Sequence, residues 1–461
     1  MAITAPLPTV VDPEPIASGT FRKTEAPRGA SSPGISVSGI SATLAANEVI
    51  SARRERGERV LPMAFGEAGV PVAPVLRYAL AAATHRNGYG PVAGAAELRE
   101  AAAGYWTRRG LPTTADDVVC GPGSKALLFG LLLGLGQAGP AVSVAVPRPS
   151  WVSYAAQASL TGVRAVHVPI PSRRAGGVPD PDLLDAAATA AARDGQPVAA
   201  VIVTLPDNPT GTLAPAPLVA AMCEVARRHD MLIISDEIYR DLVFADNSGF
   251  VSPASLAPER TLVTSGLSKN LALGGWRLGV ARLPGLASPS MADLRDRLLS
   301  IGSEIWSAPA APVQHAAALG FSDLPDITGR VAASRRLHAA VARAVASRFA
   351  AAGAKVAPPE GAFYVYPDFE LLRPALATRF GITTGAGLAE LLLDRYGIGV
   401  LPGDAFGEPA RALRMRVATS RLYGDAPSQQ EAALAADDPT ALPWIAEKLD
   451  WLSESLADLS R

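Results

Sequence analysis

Two residues, Lys269 and Arg277, carry the clearest chemical potential of this chain. They sit in Gly266-Leu-Ser268-Lys269-Asn-Leu-Ala-Leu-Gly-Gly-Trp-Arg277-Leu-Gly279, a lysine among small residues with two glycines ahead of a fixed arginine. A lysine amine can condense with a carbonyl to form a Schiff base. An arginine presents a planar fork of donors suited to a phosphate. A site that needs both is one that anchors a phosphorylated aldehyde. A second anion signal lies in Gly121-Pro-Gly123-Ser124-Lys125, just before a helix expected to start near Ala126. A Gly-rich turn opening a helix presents unpaired N–H groups and the positive end of the helix dipole. The phosphate is therefore assigned to the backbone of Ser124 and Lys125, the Ser124 hydroxyl, Ser268 and Arg277.

Two further segments follow apolar runs that read as buried strands. Ser235-Asp236-Glu237-Ile-Tyr239 comes after a run ending at Ile234, and Pro206-Asp-Asn208-Pro209-Thr210-Gly211 comes after Val201 to Thr204. Ligand groups collect at such carboxyl ends of parallel strands. Alone, an Asp after a strand caps a helix, and Asn-Pro with Thr-Gly punctuates a loop. The order Asn-Pro-Thr-Gly, then Asp-x-x-Tyr, then the lysine motif resembles the class I/II aminotransferases, fold type I of the pyridoxal phosphate (PLP) enzymes. The resemblance covers roughly residues 41 to 460. It implies PLP as cofactor, with Lys269 as the residue that bonds it and moves the proton. It implies Asp236 against the pyridine nitrogen, and Asn208 and Tyr239 against the phenolic oxygen. Trp151, in Pro149-Ser-Trp151-Val-Ser-Tyr154, matches the aromatic that stacks on the ring, although an aromatic there could equally be core. Tyr89, in Asn87-Gly-Tyr89-Gly, resembles the tyrosine that reaches the neighbouring subunit's phosphate, which implies a homodimer with shared sites. Gly66 matches the glycine whose backbone lines the substrate site. Arg414 matches the C-terminal arginine that grips the substrate α-carboxylate, and its competitor Arg416 is expected to face the other side of the strand.

The elements needed to position these residues alternate along the chain. Strands are read at 142–146, 199–204, 231–235 and 261–265, with helices at 97–108 and 218–228 among them. Continuous apolar strands between helices indicate an α/β fold with a mainly parallel sheet covered on both faces. A large PLP-binding domain is expected over 75–325. A smaller α+β domain is expected from 41–74 and 326–461, with a helix at 327–351, strands near 362–366 and 413–417, and a closing helix including 444–456. Residues 1–40, rich in Pro, Ser and Gly, read as a flexible arm. The polar, Ala-rich stretch from Arg421 to Pro443 reads as a surface loop or insertion.

Composition narrows the function classes. The 461 residues carry a net charge of -1, so there is no electrostatic case for nucleic acid or an acidic membrane. Two cysteines are too few for a disulfide framework. The start lacks the basic and apolar regions of a signal peptide, and a cytoplasmic enzyme is expected. The apolar run from Ala126 to Leu135 is too short to span a bilayer. Gly134-Leu-Gly136-Gln-Ala-Gly139 satisfies the dinucleotide pattern, but it ends a helix rather than opening one, so NAD is not expected. The five histidines show no metal-ligand spacing, and no metal is expected.

The resemblance thus implies an amino-acid aminotransferase working between an amino acid and a 2-oxo acid. Its rivals are a PLP lyase or γ-eliminating enzyme like 1-aminocyclopropane-1-carboxylate synthase, which uses S-adenosylmethionine, and a PLP-binding regulator. No clear arginine stands in Ser303-Glu304-Ile-Trp306-Ser307 to take a side-chain carboxylate. A neutral or apolar substrate side chain is therefore expected, with Trp306, Phe363 and Tyr364 as walls.

Overall fold

Aliphatic runs that cannot be wetted on either face belong in the middle of a sheet, and in the computed structural model they lie there. The structure describes residues 40–137, 141–244, 249–284 and 288–461; all but the last position of the expected N-terminal arm lies outside them. Seven strands form one sheet: β1 (Val118–Gly121), β2 (Ser143–Arg148), β3 (Arg164–Pro169), β4 (Val198–Thr204), β5 (Leu232–Asp236), β6 (Thr261–Gly266) and β7 (Gly279–Arg282). Their spatial order is β1-β7-β6-β5-β4-β2-β3. The pairs from β6 across to β3 are parallel, and β7 runs antiparallel to both of its neighbours. β6 is buried at every position, β4 at all but Ala199 and β5 at all but Leu232. Such two-sided burial marks the covered parallel sheet that the apolar runs foretold.

The helix Ser124–Gly136 explains its own unusual composition. It buries five leucines, Leu127, Leu128, Leu131, Leu132 and Leu135. Its glycines let the helix Pro289–Ile305 approach closely. A Cβ on Gly130 would come within 2.7 Å of Leu298, and one on Gly134 within 3.1 Å of Leu294. Gly134, the first glycine of the dinucleotide-like pattern, is thus a packing position near a helix end.

After residue 325 a long helix, Pro325–Ala351, is followed by a three-stranded antiparallel sheet. There Met415–Ala418 lies between Leu401–Pro402 and Tyr364–Val365. Leu61–Pro62 pairs in parallel with Ile398–Gly399. A core around Leu337, Val341, Phe349, Leu388, Leu449 and Leu452 holds these elements together. The expected loop over 421–443 needs correcting. It contains the helix Pro427–Ala435, and Tyr423, Ala433 and Leu434 are buried. Its buried face is made of small residues and one leucine, a stripe too weak to read as amphipathic. Tertiary anchors hold it instead: Arg330 with Glu431, and the Tyr423 hydroxyl with His338 Nδ1 at 2.6 Å. Among the described residues no helix is long and apolar enough to cross a membrane.

Candidate active site

Two neighbouring strands end level with one another, Thr204 opposite Asp236, and the next, with Thr264 opposite Asp236, runs two residues further to Gly266. The loops after them therefore open onto one edge of the sheet. A cavity of about 520 Å³ lies there. Ser124, Lys125, Trp151, Tyr154, Asn208, Asp236, Tyr239, Ser268, Lys269 and Arg277 line one side, and Thr43, Phe65, Gly66, Glu67, Tyr364 and Arg416 complete it. Most of the residues singled out from sequence are thereby brought together.

The Lys269 amine donates to the Gly66 carbonyl at 2.6 Å. Burial and the cations Arg416 and Arg277 push its pKa down to about 8, against the pull of Glu67 and Asp236. An amine so placed has a useful neutral fraction near physiological pH. Gly66 must be glycine, because a Cβ there would stand 2.2 Å from the Tyr364 hydroxyl.

Asp236 accepts hydrogen bonds from the hydroxyls of Tyr154 at 2.8 Å and Thr264 at 3.1 Å. Tyr154 also bonds the Thr204 hydroxyl at 2.7 Å. Burial raises the Asp236 carboxyl to about 6 despite these donors. The Asn208 amide reaches the Tyr239 hydroxyl at 3.5 Å, which in turn bonds the Tyr364 hydroxyl at 2.8 Å. Trp151 lines the cavity with its ring edge-on to Tyr154, centroids 5.3 Å apart.

Arg277 has a left-handed backbone, φ 53°, and bonds the carbonyls of Gly274 at 2.7 Å and Pro122 at 3.4 Å. Its guanidinium fills the space left by Gly123, where a Cβ would fall 2.4 Å from Nη2. Gly123 itself has φ 91° and precedes the first turn of the helix at Ser124. A guanidinium, free helix N–H groups and two serine hydroxyls thus line one end of the cavity.

The model of the family described as aminotransferase class I and II matches residues 62–422. A probable aspartate/prephenate aminotransferase of Thermus aquaticus is 31% identical over 372 residues, 79% of this chain and 89% of the relative. An aspartate/prephenate aminotransferase of Cereibacter sphaeroides is 33% identical over 70% of this chain and 77% of its own length. The solved aspartate aminotransferase of Thermus thermophilus with maleate superposes with a TM-score of 0.73 at 28% identity, covering 88% of this chain and 98% of that one.

The chain belongs to the class I and II aminotransferases. It is a PLP-dependent enzyme of fold type I.

The cavity of this aminotransferase suits that cofactor. Asp236 is a buried carboxylate with no cation bonded to it among the described residues, so it lacks the partner that a protonated ring nitrogen would supply. Arg277 is a cation with no carboxylate bonded to it among the described residues, at the end where a phosphate would meet the helix N-terminus.

One assignment is corrected by the geometry. Arg414 is turned away from the cavity, its Nε on Asp368 at 3.0 Å and its Nη1 on Glu408 at 2.8 Å. Arg416 faces the cavity instead. It is 1% exposed, and donates to Asn208 Oδ1 at 3.0 Å and the Ala64 carbonyl at 2.6 Å, with its Nε unpartnered. Residues two apart on a regular strand share a face, so alternation could never have separated this pair. The regular strand begins at Met415, and Arg414 sits in an isolated bridge to Asp368, where two carboxylates capture it.

Two other placements differ from expectation. Trp306 is partly buried, packed against Gly302, Gly130 and the edge of a core cluster, and Phe363 is buried between Tyr239 and His338; neither lines the cavity. Tyr89 is 97% exposed and outside the cavity. Sequence reasoning missed Tyr154, Thr264 and Thr43. Tyr154 was within reach of it: it lies three residues after Trp151, in the segment that leads into the helix starting at Ser153.

Proposed function

We propose that this aminotransferase exchanges an amino group between an amino acid and a 2-oxo acid, one of which carries a side-chain carboxylate read by Lys125. A surplus cation carries the reading. The Lys125 ammonium lies 5.0 Å from the Trp151 ring centroid with no carboxylate partner among the described residues, and burial beside Arg277 lowers its pKa. From the opposite side the Thr43 hydroxyl lines the same cavity, buried and unpartnered. An ammonium and a hydroxyl suit a carboxylate. The aspartate/prephenate names of the Thermus and Cereibacter relatives point the same way. This reading differs from the neutral side chain expected from the missing arginine at 303–307, with Trp306, Phe363 and Tyr364 as walls; of these Tyr364 lines the cavity.

The remaining residues divide the work. The phosphate is held by the backbone of Ser124 and Lys125, the hydroxyls of Ser124 and Ser268, and Arg277, with Gly123 leaving room for the guanidinium. Asp236 holds the charge of the ring nitrogen, Asn208 and Tyr239 bond the phenolic oxygen, and Trp151 covers the ring face. Arg416 takes the substrate α-carboxylate with its open Nε edge, beside the Gly66 backbone, which orients Cα toward Lys269. Bound PLP supplies the carbonyl that takes up the amino group and the ring that accepts the electron pair left at Cα. The Lys269 amine, facing the substrate, would be the base that takes the proton from Cα and holds it for return. Tyr89, exposed in one chain, reaches the phosphate of a partner subunit, so the working unit is a homodimer. Two buried free thiols, Cys120 and Cys223, suit a reducing cytoplasm.

The test is the absorbance change of the half-reaction with aspartate, glutamate, alanine, leucine and phenylalanine. The acidic donors are expected to have the highest kcat/KM. Lys125→Met should cost them roughly tenfold to a hundredfold, the worth of one charged hydrogen bond, and leave neutral donors nearly unchanged. Neutral donors outpacing acidic ones in the wild type, or both classes falling together in the variant, would overturn the reading.

A further inference from the structure

The turn that carries Lys269 is closed at its base, where Leu273 N–H bonds the Leu267 carbonyl at 3.0 Å. Between them residues 268–270 form a single turn that belongs to no helix or strand. Ala272 adds a left-handed φ of 57°. Three side chains hold the turn: Leu271 is buried in the core, the Lys269 amine bonds the Gly66 carbonyl, and Asn270 supplies a polar anchor. Asn270 is 6% exposed, and its Nδ2 donates to Asp241 Oδ2 at 2.9 Å.

Asp241 is itself held from the far side. Its Oδ2 accepts from the Tyr105 hydroxyl at 3.0 Å, and its Oδ1 from Arg109 Nε at 3.2 Å. Arg109 lies over the Tyr105 ring, 3.6 Å from the centroid, and bonds Asp323 with both Nη atoms. The carboxylate is only 11% exposed. It also stands two residues after Tyr239, so the same group ties the loop after β5 to the loop after β6. A carboxylate with three donors around it is a rigid anchor.

We infer that Asp241 is a positioning residue for Lys269, acting through Asn270. Asp241 touches neither substrate nor cofactor. It holds the turn so that the Lys269 stem enters the cavity beside the Gly66 carbonyl, away from water. The inference rests on Lys269 being the amine that bonds the cofactor. The depressed basicity of Lys269 is the property that reports on this placement. The charged groups facing the amine are Arg416, Arg277, Glu67 and Asp236, and none of them is altered by changing Asp241 or Asn270. A loosened turn would let water solvate the ammonium, and its pKa would rise toward the ordinary lysine value.

The experiment uses cofactor-free full-length chains: wild type, Asp241→Asn, Asp241→Ala and Asn270→Ala. Each is exposed to pyridoxal, which lacks the phosphate. The adduct is trapped with borohydride and counted on the Lys269 peptide across pH. The wild-type midpoint is expected near 8. Asp241→Ala and Asn270→Ala should raise it by about one unit, so that trapping at pH 7 falls roughly tenfold. Asp241→Asn, which keeps an acceptor for Asn270, should shift it less. If Asp241→Ala does not fold, Asn270→Ala decides alone, since it leaves the Asp241–Arg109 pair intact. Folded variants with an unmoved midpoint, even with a lowered melting temperature, would reduce Asp241 to a stabilising contact and overturn the inference. Wild-type trapping on some lysine other than Lys269 would instead sink the assignment of Lys269 itself.

Discussion

Replacing Arg416 by lysine separates the two candidate arginines. Arg416 is enclosed between the rings of Tyr364 and Phe406, its guanidinium carbon 4.9 and 5.0 Å from their centroids, so its orientation is fixed before substrate arrives. Lysine keeps the charge and can still satisfy one of the two acceptors, Asn208 Oδ1 or the Ala64 carbonyl, but it has no fork. The substrate α-carboxylate then loses one of two charge-assisted hydrogen bonds, about 1.5–3 kcal/mol. That is roughly a ten- to hundredfold loss in kcat/KM for every amino-acid donor, acidic or neutral. The assay is the half-reaction absorbance change under single-turnover conditions. A simple alkylamine, which has no carboxylate, serves as control and should react equally slowly with both proteins. Arg414→Lys should leave the kinetics within a factor of a few, because Arg414 spends its donors on Asp368 and Glu408. The reasoning is refuted if Arg414→Lys raises KM while Arg416→Lys does not, or if the alkylamine slows in step with the amino acids.

Three further outcomes follow from the same geometry. Asp236→Asn should keep the cofactor bound through its phosphate contacts yet slow proton transfer about a thousandfold, if roughly 4 kcal/mol of stabilisation is lost; a rate within a factor of a few of wild type would make Asp236 a mere cap. Burial raises Asp207 to about 7 and Asp236 to about 6, from an ordinary value of 3.8. Between pH 4 and 7 the folded state therefore holds protons that the unfolded chain has released, and the stability of cofactor-free protein falls as pH rises through that window. For Asp207 this amounts to roughly 4 kcal/mol at most; denaturant unfolding of Asp207→Asn at pH 5 and 8 should show a clearly smaller drop, and an unchanged drop would contradict the assignment. If Tyr89 serves the partner subunit, mixing Lys269→Ala with Tyr89→Phe chains should yield activity above the sum of the two, since one hybrid site is then wholly wild type. No gain despite confirmed subunit exchange would place Tyr89 outside the partner's site.

Much of the site was legible because its parts are local. Asn208, Asp236 and Lys269 each follow an apolar run, and a covered parallel sheet must present the carboxyl ends of such runs at one edge. The register then levels them, Thr204 beside Asp236 beside Thr264. The anion end was legible for a similar reason. A glycine with φ 91° opening a helix at Ser124 is a sequence feature, and the N–H groups it exposes follow from helix geometry alone.

What escaped the sequence was every choice made by a distant neighbour. Arg414 and Arg416 carry the same side chain on the same stretch of chain; Asp368 and Glu408 draw one away, and Asn208 with two aromatic rings encloses the other. The helix Pro427–Ala435 forms on a face of alanines because the helix Pro325–Ala351 lies beneath it. Trp306 packs against the core, partly buried, because Gly130 and Gly302 leave it a slot. Local sequence determined which groups could do chemistry and which strand would deliver them. Only packing between remote segments decided where each side chain points, because that depends on which partners arrive from elsewhere in the chain to satisfy its charge and fill its space.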